Sequence, residues 1–222
     1  MKVLELYAGS RSIGKAAEAL GHEVFSIDIK PFKDIDLVID IEFLTPEKIP
    51  FRPDMIWASP PCTTYSVCGL RYHRNMGIPT SQFAEKSDRL VLNTLKLIRY
   101  FNCIYYIENP RGYLRKMNFM KLLPKVTVWY CKYGDNVAKP TDIWSNNIRS
   151  IFNPNGWSSR PECFNGNQKC HHDKQPRKYA AKKLNKVLGK GIQGRANNYE
   201  RSKIPIELCI EIILATSKKL NE

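Results

Sequence analysis

Short β-rich runs alternate with helical patterns through the first 130 residues, and run after run ends on a glycine, an acid or a proline corner. That alternation admits few folds. Residues 3–7 form one run, and Ala8-Gly9-Ser10 turns the chain. Ile13, Ala16, Ala17 and Leu20 then follow helical spacing until Gly21. Further runs cover residues 24–29, 37–40, 54–58, 103–107 and 126–130, and Thr45-Pro46-Glu47 opens a short helix. Thr80 or Ser81 caps a helix over 82–101 whose Leu90, Val91, Leu95, Ile98 and Phe101 share one face. Residues 63–80 show no period and read as a loop. Residues 150–203 read as an irregular lobe. Pro205 opens a last helix with Ile206, Cys209, Ile210, Ile213 and Leu214 on one side. The expectation is an α/β fold with a parallel sheet covered on both faces, its ligands bound beyond the carboxyl ends of the strands.

Composition narrows the function. With 43% hydrophobic residues the chain is not disordered, and no apolar run approaches the roughly 20 residues that span a bilayer. Met1-Lys2-Val3-Leu4-Glu5 is charged too early for a signal peptide, so a cytosolic protein is expected, with no membrane partner. Its seven cysteines then read as thiols, a metal site or a nucleophile instead of a disulfide framework. The net charge of +14 is uneven: residues 1–109 are balanced, and residues 110–203 hold the excess. A neutral half joined to a basic half suggests a reaction module beside a phosphate-holding module.

The strand ends carry the chemistry. Tyr7-Ala8-Gly9-Ser10 is a turn, either structural or holding a cofactor against the backbone. Asp28 and Asp40 end the next runs, as solvated acids or as acceptors for ribose hydroxyls and an adenine amine. The three in order favour an adenosine-bearing cofactor. Ser59-Pro60-Pro61-Cys62 gives a thiol a rigid approach, suited to attack on an electron-poor carbon; the plain alternative is a buried cysteine beside a turn. Glu108-Asn109-Pro110 offers a carboxylate able to hold the ring nitrogen and amine of a flipped cytosine, or a helix-starting acid.

Taken in order, these segments resemble the DNA (cytosine-5) methyltransferases, especially their small phage-type members, such as those of restriction-modification systems. Glu5-Leu6-Tyr7-Ala8-Gly9-Ser10 is similar to the cofactor turn, Asp28 to the ribose-binding acid and Asp40-Ile41 to the adenine-packing pair. Pro60-Pro61-Cys62, followed by Thr63-Thr64-Tyr65-Ser66, resembles the nucleophile motif, and Glu108-Asn109-Pro110 the Glu-Asn-Val motif. Arg201-Ser202-Lys203-Ile204-Pro205 resembles the element that returns to the cofactor pocket. The resemblance implies a Rossmann-like S-adenosylmethionine-dependent methyltransferase sheet with a small irregular basic recognition lobe. Its parts would be a catalytic domain over 1–145, a recognition lobe over 146–203 and a returning helix over 204–222. It implies Cys62 and Glu108 as catalytic residues, and Tyr7, Gly9, Ser10, Asp28, Ile29, Asp40, Ile41 and Pro60 around S-adenosylmethionine. Double-stranded DNA would be the partner of a monomer, in a bacterial cytosol or a phage-infected cell.

The chain departs from that pattern in places. The turn lacks its second glycine at Arg11 or Ser12, and Pro110 replaces valine. A Gln-x-Arg-x-Arg segment is missing between Tyr133-Gly134 and Lys139-Pro140-Thr141; Lys139 and Arg149 are candidates for its base-contacting arginine. Arg71 and Arg74 in the 63–80 loop, and Lys182, Lys183 and Lys186 in the lobe, are the expected phosphate contacts. Cys163, Cys170, His171 and His172 read either as a zinc cluster stiffening the lobe or as ordinary packing; their spacing fits no common zinc module and adjacent histidines rarely both ligate one ion, so packing and no metal are expected. RNA cytosine-5 methylation, a catalytically inactive DNA-binding protein on the same fold, and transfer of another one-carbon group are the competing readings.

Overall fold

The β-rich runs become strands because their alternate side chains find two apolar layers. In the computed structural model, residues 1–164, 167–172 and 198–222 are described. The strands are β1 (Lys2–Leu6), β2 (Glu23–Asp28), β3 (Leu37–Val38), β4 (Met55–Ala58), β5 (Arg74–Asn75), β6 (Ile78–Pro79), β7 (Ile104–Pro110), β8 (Lys125–Trp129) and β9 (Pro140–Ser145). The helices are α1 (Ser12–Ala19), α2 (Val67–His73), α3 (Gln82–Phe101), α4 (Asn198–Ser202) and α5 (Ile206–Leu220).

Among the described residues, seven strands form one sheet in the order β3-β2-β1-β4-β7-β9-β8. From β3 to β7 the pairs are parallel, with Leu6 beside both Ile27 and Ala58, and Ala58 beside Ile107. The carboxyl ends of β1, β2, β4 and β7 therefore lie at one edge. The order reverses beside β1, which opens a crevice there. The wholly parallel sheet expected from sequence is corrected at the far side: β9 runs antiparallel to both β7 and β8. Its sequence, Pro-Thr-Asp-Ile-Trp-Ser, hides the strand behind a proline and an acid. Asp142 is buried there because the Arg115 guanidinium grips its carboxylate and Thr127 donates to it at 2.9 Å.

Leu4, Leu6, Ile56, Ala58, Tyr105 and Ile107 face a layer with Leu90, Val91, Leu95, Ile98 and Phe101 of α3. Val3, Met55, Trp57 and Tyr106 face the other way, onto Ile13, Ala16 and Ala17 of α1 and Leu208, Cys209, Ile212 and Ile213 of α5. Ser81 caps α3 by accepting from the Ala84 N–H. The buried stripe of α5 is rotated from the expected one: Leu208, Cys209, Ile212, Ile213 and Thr216 point inward, whereas Ile206 and Leu214 are exposed. Residues 63–80 are not a plain loop either. They hold a 3-10 turn, α2 capped by Ser66, and the β5–β6 hairpin.

After β9 the chain leaves at the amino end of β7 and climbs back along the α5 side. Asn147 donates to the Tyr106 hydroxyl at 3.0 Å, Trp157 Nε1 to Glu211 at 3.1 Å, and the Arg160 guanidinium to Glu207 and Glu211 at 2.6 and 3.0 Å. The backbone N–H of Arg160 donates to the Tyr133 hydroxyl at 2.9 Å.

Glu5 lies inside this fold. Its carboxylate accepts from the Ile13 N–H at 3.1 Å and from the Ser26 hydroxyl at 2.9 Å. Burial outweighs these bonds and the Arg11 charge, and pushes its pKa from 4.5 up to about 7. The folded state thus holds this proton more tightly than the unfolded chain. Its stabilisation is complete below pH 4.5 and is lost as pH rises through 7. Glu5→Gln should remove a pH-dependent loss of about 3 kcal/mol, read as the difference between wild-type and variant urea unfolding at pH 4 and pH 8. Parallel pH profiles for the two proteins would refute the assignment.

Candidate active site

The glycine turn is built on backbone conformations that side chains rarely adopt. Tyr7, Gly9 and Arg11 have φ values of 57°, 49° and 54°. Arg11 stands where a second glycine was expected, and its side chain folds under the turn, donating to Ser26 at 3.0 Å and pairing with Glu18. Gly14 supplies the close approach of helix to strand: a Cβ there would sit 2.6 Å from the Glu5 carboxylate. The Tyr7 hydroxyl donates to the Leu90 carbonyl at 3.1 Å and meets Thr94 at 3.0 Å, tying the turn to α3. Ser10 is buried, with its hydroxyl 2.9 Å from that of Ser12.

Asp28 grips the same turn. One carboxylate oxygen accepts from the Gly9 N–H and the other from the Lys30 N–H, both at 2.9 Å. Asp40 accepts from the Glu42 N–H at 3.0 Å and pairs with Lys86 at 2.5 Å. Desolvation raises the pKa of Asp40, but the Lys86 and Glu42 contacts outweigh it and the net shift is downward. Ile29 is exposed at the end of β2, whereas Ile41 is packed in the core. The returning chain closes over the turn: Ile204 N–H donates to Ser12 at 3.1 Å, and a Cβ on Gly9 would come within 3.4 Å of Ser202 Oγ.

The proline corner and the Glu-Asn-Pro segment are joined directly. Asn109 Nδ2 donates to the Pro60 carbonyl at 2.8 Å, and Trp57 Nε1 braces Ser59 at 2.9 Å. Cys62 follows as a half-buried thiol at the start of the 3-10 turn Thr63–Tyr65. Glu108 is 6% exposed, and its carboxylate accepts from the Tyr130 hydroxyl at 3.0 Å. Burial, then the charge and hydrogen bond of Glu108, push the Tyr130 pKa well above its ordinary value, so Tyr130 stays a donor. Lys139 is buried with its ammonium 4.6 Å from the centre of the Tyr130 ring. Arg149 is exposed. Of the two candidates for the missing arginine, only Lys139 is thus brought to the group that holds Glu108. Sequence reasoning missed Tyr130; its place just after β8, beside the departure from Gln-x-Arg-x-Arg, was the available signal.

The two arginines of the 63–80 segment part company. Arg71 is exposed, its guanidinium stacked 4.5 Å from the Tyr72 ring centre. Around it Val67, Tyr72, Met76 and Ile78 are exposed as well. Arg74 is corrected from a phosphate contact to an internal brace. It is buried, bonds Asp88 at 2.6 and 3.1 Å, and donates to Thr64, Gly77 and Ala84 carbonyls, leaving no N–H for a phosphate. Arg74→Ala should cost about 3–5 kcal/mol of stability, because Asp88 would lose its buried partner. Arg71→Ala should leave the denaturant midpoint in place. Equal midpoints for the two variants would contradict the division. Lys182, Lys183 and Lys186 lie outside the described residues.

No family model matches the chain. In sequence it is 28% identical over 159 residues to a probable DNA (cytosine-5)-methyltransferase of Frog virus 3 (isolate Goorha), covering 66% of this chain and 71% of that protein. In structure it resembles the Entamoeba histolytica methyltransferase EhMeth, with a TM-score of 0.59 at 11% identity over all of this chain and 99% of that one. It also resembles the S. pombe Dnmt2 methyltransferase, with a TM-score of 0.56 at 12% identity and the same coverage. These two structures speak for the fold, and the viral protein for the sequence. In sequence the chain is thus similar to a DNA (cytosine-5)-methyltransferase, and its fold is the Rossmann-like α/β sheet of the methyltransferase structures.

Proposed function

We propose that this protein methylates C5 of a cytosine flipped out of duplex DNA, through a covalent adduct between Cys62 and C6. The observation that carries the reading is the Asn109–Pro60 hydrogen bond, which fixes the nucleophile corner against the strand end bearing Glu108. S-adenosylmethionine, when bound, supplies an electrophilic methyl group. What supports its fit is the glycine turn: Gly9 is left-handed, carries no Cβ, and is held by Asp28 beside the returning Ser202. Tyr7, Ser10, Ile29, Asp40, Ile41 and Pro60 complete the proposed surroundings.

C5 of cytosine is a poor nucleophile. Addition of the Cys62 thiolate to C6 moves electron density to C5, while Glu108 holds N3 and the exocyclic amine. Tyr130 holds Glu108. Once C5 carries the new carbon, loss of its proton and departure of Cys62 restore the aromatic ring. C6 is stacked within a duplex, so the base must leave the helix. The exposed Val67, Tyr72, Met76 and Ile78 and the cation of Arg71 stand on the segment that follows Cys62, placed to meet the strand. Residues 146–203, with Lys182, Lys183 and Lys186, are the proposed recognition segment. No described helix is long and apolar enough to cross a membrane.

DNA and RNA incubated with the protein and methyl-deuterated S-adenosylmethionine, then digested to nucleosides for mass spectrometry, should give labelled 5-methyl-2′-deoxycytidine. Label in 5-methylcytidine alone would move the substrate to RNA. Label on N4 would overturn the Cys62 mechanism.

A further inference from the structure

The 3-10 turn Tyr130–Tyr133, which seats Tyr130 on Glu108, also carries Cys131. The climbing segment after β9 brings Cys163 to it, and the following turn adds Cys170 and His172. Three sulfurs and one imidazole nitrogen lie within 4.8 Å of one another, and all four residues are buried. Trp129 and Ala138 pack around the cysteines. His172 Nδ1 is 3.9 Å from Cys163 Sγ, and Asn167 Nδ2 donates to the same sulfur at 3.4 Å. His172 Nε2 is buried with no hydrogen-bond partner among the described residues.

Apolar packing explains this arrangement badly. Burying an imidazole against three thiols costs desolvation of about 1–3 kcal/mol, which aliphatic side chains would avoid. Tetrahedral zinc, with Zn–S near 2.3 Å and Zn–N near 2.0–2.1 Å, needs ligand atoms about 3.7 Å apart, so the cluster closes on an ion with shifts of about 1 Å or less. Thiolates with one imidazole select zinc over magnesium or calcium. The two histidines are adjacent in sequence, but the fold separates them: His171 is exposed with Nε2 at 3.1 Å from the Asp135 carbonyl, and His172 is buried. Cys131 is far from the other ligands in sequence, and only the climbing segment reveals it.

We propose that Cys131, Cys163, Cys170 and His172 form a closed, structural zinc site. Four protein ligands leave no open position for chemistry. The ion would fasten the start of the basic segment to the turn that orients Glu108, and its binding energy would be folding energy for a stretch with few apolar residues.

The test uses the full chain, expressed with zinc in the medium and purified without chelator. Elemental analysis should find about one zinc ion per chain. Exchange of zinc for cobalt(II) in the wild type should give the intense visible bands of tetrahedral thiolate-bound cobalt. That readout does not depend on any variant folding. His171→Ala should keep the metal, while Cys131→Ser and His172→Ala should lose most of it. Folded wild-type protein with less than about one tenth of an ion per chain, octahedral cobalt bands, or a disulfide among these cysteines would overturn the proposal. So would metal loss in His171→Ala with retention in His172→Ala.

Discussion

Cys62→Ala should lose methyl transfer by on the order of 10³-fold or more, because in the proposed mechanism no other group can form the bond to C6. The variant keeps its affinity for S-adenosylmethionine by calorimetry, since the glycine turn and Asp28 are held by Gly9, Lys30 and Ser26, not by the proline corner. A duplex with 5-fluorocytosine at the target should trap the wild type, as fluorine cannot leave as the proton does, and the adduct should show as a shift in mass. The trapped peptide contains residue 62. Transfer by Cys62→Ala at more than a tenth of the wild-type rate, or a trapped peptide elsewhere, sinks the assignment.

The second large effect concerns Glu108. Glu108→Gln should lower turnover by roughly 10²–10⁴-fold, because the amide can hydrogen-bond the base but cannot stabilise a proton on its ring. Tyr130→Phe removes the donor on the carboxylate without adding volume. A hydrogen bond to a charged group is worth about 1.5–3 kcal/mol, so a loss of about 10- to 100-fold is expected. Tyr130 positions Glu108 and does not touch the base, so its variant should lose kcat at unchanged KM and form the fluorocytosine adduct slowly. A purely structural role would instead lower the melting temperature and leave turnover per folded molecule intact.

The parts of this protein that were readable in its sequence obey local rules. β1, β4 and β7 are short and mostly buried, β2 is buried over its last three residues, and each ends at or just before a residue with special backbone or charge. The Ser81 cap follows from its own side chain. The failures are tertiary. β9 carries a buried Asp142 that only Arg115 and Thr127 make tolerable. α2 has no buried residue, so it left no periodic signal. Arg74 looked like a surface cation because Asp88, its partner, lies on α3. Of the proposed site, Cys62, Glu108 and Asp28 stand in sequence motifs. Tyr130 was not, because nothing in a sequence says that one hydroxyl will reach a carboxylate 22 residues earlier.

The antiparallel turn of β9 sends the chain to the wrong end of the sheet for catalysis, and the climb along α5 brings it back. Cys163, Cys170 and His172 thus reach Cys131, and Ser202 and Ile204 meet the glycine turn. Both contacts lie at the end of the sheet that carries the proposed site. The entropy of joining two fixed points grows only with the logarithm of the intervening chain. Exchanging residues 173–197, part of the proposed recognition segment, for a longer or shorter stretch is accordingly expected to cost little closure entropy.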